Sequence, residues 1–274
     1  MIPLELSNPS IMGILNVTPD SFSDGGRYQS VEMSVEHGLQ MARQGANIID
    51  VGGESTRPGA GRIDAEQQNS RVVEVVEQLS RRLPAEVVIS VDTTLSEVAS
   101  AALDSGATLI NDISAGRDDP AMLQLAARRG ASVVLMHMQG EPQTMQQDPR
   151  YQDVVSEVED FLRQRTQAAV AAGVSANAII LDPGIGFGKT RRHNLALLKA
   201  LPRLVALGHP LLLGVSRKRF MGSLCAVSSP QELLPATCAA TALGVMAGVA
   251  IFRVHDVAEN RQVADVTMAI KQSG

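Results

Sequence analysis

The sequence is poor in cysteine and in aromatic residues. Its 274 residues include 2 cysteines, no tryptophan, 2 tyrosines and 5 phenylalanines. Cys225 and Cys238 lack the spacing of a metal-ligand pair or a redox motif, which argues against a disulfide scaffold and against a zinc site built on cysteines. The sequence also opens without the basic segment and the apolar segment that a secretion signal needs. Together these absences predict a cytoplasmic protein.

Runs of one charge sign and clear membrane spans are also missing. With 24 basic and 29 acidic residues the net charge is −5, and the basic residues form no long run, so no nucleic-acid partner is expected. Residues 233–252 are apolar over about the length that a bilayer requires. Pro235, Thr237 and Thr241 within this stretch favour a small-residue core helix that continues into a buried strand. We therefore expect no membrane segment.

What the sequence does contain is an alternation of short apolar runs and helical patterns. The predicted strands are residues 11–17, 47–51, 87–91, 108–110, 132–135, 179–181, 211–215 and 249–253. Helical patterns cover residues 31–44, 64–82, 151–172 and 233–246, with others ending at 103 and 271 and one beginning near 120. Strands that are apolar throughout and separated by helices are parallel and buried on both faces. Eight evenly spaced units without a linker predict an α/β fold, a single-domain TIM (β/α)8 barrel over residues 1–274, in preference to a doubly wound sheet.

The segment of residues 178–190, A-I-I-L-D-P-G-I-G-F-G-K-T, resembles a phosphate-binding loop only superficially. A P-loop requires glycine where this chain has Pro183, and a dinucleotide-binding motif requires glycine where it has Lys189. What remains is Asp182 at the end of a buried strand, followed by glycines that allow a close approach of the backbone. Asp182 is therefore a candidate ligand-binding residue, although a solvated aspartate in a sharp turn has the same signature.

Polar residues also follow the other predicted strands. They are Asn16, Thr56, Arg57, Asp92, Asn111, His137, Lys218, Arg253 and His255. Any one of them could cap the next helix. In a barrel, however, the carboxyl ends of the strands meet on one face, which is where such enzymes carry their active sites. We therefore expect these side chains to converge.

One group of these residues suits a flat heterocycle. Asp92, Asn111 and Asp182 offer acceptors and an amide, and Lys218 offers a cation. A carboxylate can accept two parallel N–H bonds, as from a 2-amino-4-oxo pyrimidine edge. The alternative is a buried structural ion pair, which rarely needs three acceptors for one cation.

A second group suits an anion. Asn16, Arg57, Arg253 and His255 combine a neutral oxygen ligand with three potential cations, which fits a phosphate or pyrophosphate with a magnesium ion. The alternative is a set of scattered surface arginines. Arg253 lies within an apolar strand end, I-F-R-V-H, where a solvated role is not expected.

Together these residues lie in motifs that resemble the bacterial dihydropteroate synthases, a family of pterin-binding TIM barrels. The resemblance covers residues 11–257 through N-V-T-P-D-S-F-S-D-G-G, G-E-S-T-R-P-G-A, I-S-V-D-T, I-N-D-I-S, M-H-M-Q-G, L-D-P-G-I-G-F-G-K-T, S-R-K and R-V-H-D-V. The first two motifs are specific to the synthases. The barrel and its acidic pterin contacts are shared with pterin-binding methyltransferases.

The resemblance implies an activity and a set of site residues. The family joins 6-hydroxymethyl-7,8-dihydropterin pyrophosphate to p-aminobenzoate, forming 7,8-dihydropteroate and releasing pyrophosphate, and we expect an SN1-like course through a pterin cation. The implied pterin ligands are Asp92, Asn111, Asp182 and Lys218. The implied pyrophosphate ligands are Asn16, Arg57, Arg253 and His255, with Mg²⁺ on Asn16. The implied p-aminobenzoate contacts are Thr56, Pro58, Phe187, Ser216 and Lys218.

The catalytic residues implied are Asp92, Asp182, Lys218 and Arg253. Two loops, after the first and second strands, are mobile in the family; they carry Asp24, Thr56 and Arg57 here. A methyltetrahydrofolate-dependent corrinoid methyltransferase is an alternative, but it needs no pyrophosphate site. A non-catalytic pterin-binding paralogue is another, but it would have lost polar residues at the strand ends.

The resemblance also implies a homodimer built from helices late in the barrel. Residues 236–248 form a predicted helix of Ala, Gly and Thr with no charged face. We expect this helix at or beside the dimer interface. The alternative is that its small side chains serve only packing within one chain.

Overall fold

The computed structural model describes residues 8–17, 27–54 and 61–273, and these form an alternating series of strands and helices. The strands are β1 Ser10–Asn16, β2 Ile48–Gly52, β3 Val88–Asp92, β4 Leu109–Asp112, β5 Ser132–Met136, β6 Ile179–Asp182, β7 Leu212–Leu213 and β8 Ile251–Val254. The helices are α1 Arg27–Arg43, α2 Ala65–Arg82, α3 Ser96–Asp104, α4 Met122–Arg129, α5 Val154–Ala171, α6 Arg191–Lys199, α7 Leu201–Val205, α8 Arg219–Cys225, α9 Leu234–Ala247 and α10 Val257–Gln272.

The eight strands form one parallel sheet in the order β6-β5-β4-β3-β2-β1-β8-β7. Its two ends meet, because Leu181 in β6 makes a parallel bridge to Leu211 beside β7 and its N–H donates to the Pro210 carbonyl at 2.9 Å. The sheet is thus a barrel surrounded by helices. The predicted TIM fold is confirmed, and the doubly wound alternative is wrong.

The apolar core has an inner and an outer part. The inner cluster fills the barrel with one residue from most strands: Met12, Ile48, Leu109, Val134, Ile180, Leu212 and Ile251. The outer cluster lies between the sheet and the helices, where residues such as Leu15, Val72, Leu79 and Phe252 are buried. Because these side chains fill the interior, the face that we expect to bind a ligand is the one at the carboxyl ends of the strands, called the mouth from here on.

Local signals account for several helix boundaries. Asp64 caps α2 by accepting the Gln67 N–H at 2.8 Å, and Thr190 caps α6 by accepting the His193 N–H at 3.2 Å. Gly248, with a φ of 92°, ends α9 in the left-handed conformation that favours glycine. The apolar stretch of residues 233–252 is α9 followed by β8, as predicted, and among the described residues no helix is long and apolar enough to cross a membrane.

Candidate active site

Four buried polar side chains meet at the carboxyl end of the barrel. Asp92 ends β3 and lies in register with Asn111 on β4, Asp182 ends β6, and Asp50 lies within β2. Arg253 of β8 reaches across to two of them: its Nε donates to Asp50 Oδ2 at 2.6 Å and its Nη2 to Asp92 Oδ2 at 2.7 Å. The structure therefore brings together residues that the sequence distributes over five strands.

Asp50 is the hub of this cluster, and sequence analysis did not select it. Its Oδ2 accepts from both Arg253 and the Asn111 Nδ2, the latter at 2.9 Å, while its buried Oδ1 has no partner among the described residues. Asp50 is 1% exposed. A carboxylate in the middle of an otherwise apolar strand, I-I-D-V-G, is itself a signal, because charged residues are almost never buried without a partner.

Burial and charge together shift the pKa values of these groups. Burial raises the pKa of Asp92, and the Asp50 carboxylate raises it further against the opposing effect of Arg253. Burial lowers the pKa of Arg253, but Asp50 and Asp92 more than offset this, so its pKa is raised. The guanidinium stays charged and holds both carboxylates in place.

Asp182 faces this cluster from the other side of the mouth. It is 6% exposed, and its Oδ1 accepts the Gly184 N–H at 2.7 Å. Burial raises the pKa of Asp182 to about 6, although the Gly184 N–H and Lys218 act in the opposite direction. Burial and the nearby Arg253 guanidinium together lower the pKa of Lys218 to about 8.

Lys218 lies over an aromatic ring at the edge of the mouth. Its Nζ is 4.2 Å from the centroid of Phe187, a cation–π distance. Phe187 packs in turn on an apolar cluster that lines the same side, formed by Ile113, Met136, Met138 and Met145. This arrangement places an apolar wall beside the polar cluster.

The loop from Asp182 to Thr190 packs tightly on the loop after β5. A Cβ on Gly184 would overlap the His137 carbonyl oxygen, and one on Gly188 would overlap that of Gln139. Both glycines have positive φ, 64° and 58°. The close approach that the structure shows is therefore between two backbone segments.

Lys189 lies under this loop and was considered in sequence analysis only as a mismatch to a nucleotide motif. It is 2% exposed, and its Nζ lies 2.9 Å from His137 Nδ1 and donates to the carbonyls of His137, Gly184 and Phe187 at 3.2, 2.8 and 3.0 Å. Burial lowers its pKa to about 7. The sequence does contain a signal for Lys189: it is a charged residue in a glycine-rich loop that matches no phosphate-binding motif.

The loops after β7 and β8 are joined by two contacts. Ser216 Oγ lies 3.0 Å from His255 Nδ1 and accepts the His255 N–H at 3.2 Å. Arg217, with a φ of 58°, makes a two-bond ion pair with Asp256, at 2.5 and 3.1 Å. Ser216 and His255, which the resemblance assigns to different substrates, are therefore in direct contact. Arg253, which belongs to the predicted anion group, bonds one of the predicted ring ligands, Asp92, at 2.7 Å.

Some predicted residues cannot be placed. Asp24, Thr56, Arg57 and Pro58 lie outside the described residues. The described residues on either side of 55–60 are linked, because Glu54 Oε1 accepts the Ile63 N–H at 3.2 Å. Asn16 ends β1 and is half-buried.

The described residues contain no group of three or more His, Cys, Asp or Glu side chains that could hold a metal. An all-protein metal cage is therefore not formed by this part of the chain. A magnesium ion that keeps its waters and binds mainly to phosphate oxygens needs only one or two protein ligands. The amide oxygen of Asn16 fits that lesser demand.

Comparison with known proteins adds an independent line of evidence. The model of the pterin binding enzyme family matches residues 12–255. The dihydropteroate synthase of Mycobacterium leprae (strain TN) is 48% identical over 260 residues, which cover 93% of this chain and 90% of that protein.

Solved structures match equally well. The Xanthomonas albilineans dihydropteroate synthase with 4-aminobenzoic acid has a TM-score of 0.91 and 44% identity, covering 98% of this chain and 95% of that one. The Yersinia pestis dihydropteroate synthase in complex with a sulfonamide drug also has a TM-score of 0.91, with 43% identity and coverage of 98% and 96%.

Proposed function

The chain belongs to the pterin-binding enzymes and, among them, to the dihydropteroate synthases, and on this premise we propose how its own residues carry out the reaction. The enzyme is a transferase that condenses 6-hydroxymethyl-7,8-dihydropterin pyrophosphate with p-aminobenzoate to 7,8-dihydropteroate and pyrophosphate. The observation that carries the residue assignments is the convergence of buried Asp92, Asn111 and Asp182 at one end of the barrel. The corrinoid methyltransferase alternative has no support in these comparisons.

The pterin ring lies between Asp182 and the Asp92–Asn111 pair, with Lys218 at its carbonyl edge. Asp182 Oδ1 accepts the Gly184 N–H, and Asp182 Oδ2 is therefore the oxygen that accepts from the ring. The bond from Asn111 Nδ2 to Asp50 fixes the amide so that its oxygen accepts from a ring N–H. Buried acceptors of this kind discriminate strongly, because a ligand without matching donors would leave them unpaired.

The pyrophosphate lies beside Arg253, His255, Asn16 and Arg57. Two nitrogens of Arg253 bond carboxylates, which leaves Nη1 for an incoming anion. Mg²⁺ would be held by the Asn16 oxygen and would neutralise charge on the leaving group. These cations lower the barrier because they stand where negative charge develops.

The reaction begins as the C–O bond to pyrophosphate breaks and its electron pair leaves on oxygen. The cation left at the pterin methylene is delocalised into the ring, where the buried Asp92 and Asp182 stabilise it. The amine lone pair of p-aminobenzoate then forms the C–N bond, and its proton passes to water or to the released pyrophosphate. No covalent enzyme intermediate is needed.

p-Aminobenzoate occupies the slot beside Phe187 and Lys218, with its carboxylate near Ser216; contacts from Thr56 and Pro58, which lie outside the described residues, stay predictions. The cation–π contact at 4.2 Å and the apolar cluster behind Phe187 support an aryl slot here. Sulfonamides carry the same aryl amine, so we propose that they occupy this slot too. The Yersinia pestis relative has been crystallised with such a drug.

The assembly that we propose is a homodimer that buries the outer faces of α9 and α10. Leu243 and Met246 on α9 are each 52% exposed, and Val266 and Ile270 on α10 are 61% and 62% exposed. Four large apolar side chains on two adjacent helices are typical of an interaction surface. Two-fold pairing of the same face on two copies would cover them.

We place the enzyme in the cytoplasm. Cys225 is exposed and Cys238 half-buried, and neither forms a disulfide. Free thiols at the surface suit a reducing compartment.

Pyrophosphate release without p-aminobenzoate tests the proposed course. If the C–O bond breaks before attack, the wild-type enzyme should release pyrophosphate from the pterin substrate slowly on its own and faster with p-aminobenzoate. Arg253→Ala should slow both rates, because it removes a cation from the leaving group. Release that depends strictly on p-aminobenzoate would contradict the dissociative course, and release under neither condition would contradict the function.

A further inference from the structure

The β6–α6 loop, residues 183–190, is held to the rest of the barrel through its carbonyl oxygens. Gln146 Nε2 donates to the Gly186 carbonyl at 2.6 Å, and Tyr151 Oη donates to the Gly188 carbonyl at 2.7 Å. The carbonyls of Gly184 and Phe187 both accept from Lys189 Nζ, at 2.8 and 3.0 Å. Lys189 is thus the one side chain among these donors that bonds two carbonyls of the loop.

The same ammonium group also joins this loop to the loop after β5. It donates to the His137 carbonyl at 3.2 Å and lies 2.9 Å from His137 Nδ1. Burial lowers the pKa of His137 to about 2, so the imidazole is neutral and its Nδ1 can accept from the ammonium. His137 is itself fixed between Phe161 and Tyr151, with ring centroids 4.9 and 6.0 Å away.

The part of the loop that faces the mouth is the part that Lys189 holds. Gly186 and Phe187 are half-buried at the mouth, whereas the flanking Ile185 and Gly188 are buried. A Cβ on Gly186 would meet Lys218 at 3.0 Å, and the Phe187 ring lies under the Lys218 ammonium. A shift of this loop would therefore move Phe187 and change its contact with Lys218.

We propose that Lys189 is a positioning residue for the aryl substrate: its buried Nζ, through hydrogen bonds to backbone carbonyls, fixes the β6–α6 loop so that Phe187 lies against Lys218 and the p-aminobenzoate slot is formed before the substrate arrives. The inference rests on the proposed function of Phe187. Lys189 itself touches no substrate, since it lies beneath the loop at 2% exposure. Its contribution is preorganisation, which lowers the cost of binding.

The test compares Lys189→Met with the wild-type enzyme in steady-state kinetics. Methionine keeps the length and the burial of the side chain but removes every donor. We expect the KM for p-aminobenzoate to rise roughly 5- to 100-fold, the range expected from leaving buried carbonyls unpaired. The Kd of a pterin, measured by calorimetry, should change less than the KM for p-aminobenzoate. Asp92 and Asn111 are on other strands, and Asp182, although its partner Gly184 is in this loop, is held within β6 by its pairing with Met136.

Two further variants separate positioning from a general loss of structure. Lys189→Gln keeps two donors and should recover part of the lost affinity for p-aminobenzoate; it also serves if Lys189→Met does not fold. Lys199→Met makes the same substitution at an exposed position on α6 and should leave both substrates unaffected.

A double-mutant cycle with Phe187→Ala tests whether Lys189 affects p-aminobenzoate binding through Phe187. If Lys189 acts through Phe187, then Lys189→Met should add less than about twofold to the KM of Phe187→Ala. Effects that multiply in full would overturn the proposal, and so would an unchanged KM in Lys189→Met when Phe187→Ala raises it. An unchanged KM in Phe187→Ala alone would instead contradict the proposed aryl slot.

Discussion

At the scale of single residues, the mouth of the barrel gathers charges that are costly to bury. Asp50, Asp92 and Asp182 are three carboxylates against two cations, Arg253 and Lys218, and all three acids are at most 6% exposed. Such a cluster contributes little to stability, because each ion loses its hydration. It is explained by a ligand that brings N–H donors and develops positive charge.

Replacement of Asp182 by asparagine tests the ring site. Asp182→Asn can still accept the Gly184 N–H, but its amide then presents a donor where the substrate presents another. The expected loss is about 1–3 kcal/mol of pterin binding, with the fold intact. Calorimetry with a pterin measures the loss, and the thermal unfolding midpoint is the control. An unchanged pterin affinity would remove Asp182 from the ring site.

The raised pKa of Asp182 makes pterin binding dependent on pH. Because burial raises that pKa to about 6, the carboxylate is ionised above pH 6 and protonated below it. Only the ionised form accepts two N–H bonds, so the Kd should increase as the pH falls from 7.5 to 5. A pterin without pyrophosphate should be used, since phosphate groups titrate in the same range. A Kd that stays constant from pH 7.5 to 5 would contradict the assignment.

Which residues could be read from the sequence depends on where they lie. Asp92, Asn111 and Asp182 end their strands, where the barrel rule directs attention. Asp50 lies within β2, two residues before its end, and the rule about strand ends therefore did not select it. The role of Lys189 could not be predicted, because most of its partners are backbone carbonyls, which no side-chain pattern records.

At the scale of elements, the apolar runs predicted all eight strands, but the short elements were missed. The seventh strand was predicted as residues 211–215 and is only Leu212–Leu213. The sequence analysis assigned no helix to α6, α7 or α8, which have 9, 5 and 7 residues. The five and seven residues of α7 and α8 span too few turns for an apolar period to be recognised. Length does not explain the omission of α6, because α3 and α4, with 9 and 8 residues, were predicted.

Helix α9 carries the prediction about assembly. Leu243→Arg places a charge on its exposed apolar face and should convert a dimer to a monomer without lowering the unfolding temperature of the barrel. The matched control is Val170→Arg, at a 49% exposed apolar position on α5, which should stay dimeric. Light scattering measures the mass. Ala240 and Ala247 are less suitable sites because both pack against the core.

If the wild-type chain is a monomer at micromolar concentration, the proposed interface is wrong. The same conclusion follows if the dimer tolerates Leu243→Arg. In either case the small residues of α9 serve packing against α10 and the sheet, the alternative reading of its composition.

In the molecule as a whole, the residues that stabilise the barrel and the residues that carry the proposed chemistry lie in different layers. Its interior is closed by the layer of Met12, Ile48, Leu109 and their neighbours, and its polar cluster lies above that layer. The sequence predicted this architecture because eight buried parallel strands of similar spacing have one closed solution. It could not predict how Arg253 is shared between ring and anion ligands, because that depends on distances across the mouth. One domain over residues 1–274 stays a prediction.

If the two substrates are joined at this mouth, the chain should form the condensation product from them. The chain is incubated with 6-hydroxymethyl-7,8-dihydropterin pyrophosphate and isotope-labelled p-aminobenzoate, and both products are quantified. We expect labelled 7,8-dihydropteroate and pyrophosphate in equal amounts, and we expect Asp182→Asn and Arg253→Ala to lower both together. An absence of labelled product, or equal product from wild type and both variants, would contradict it.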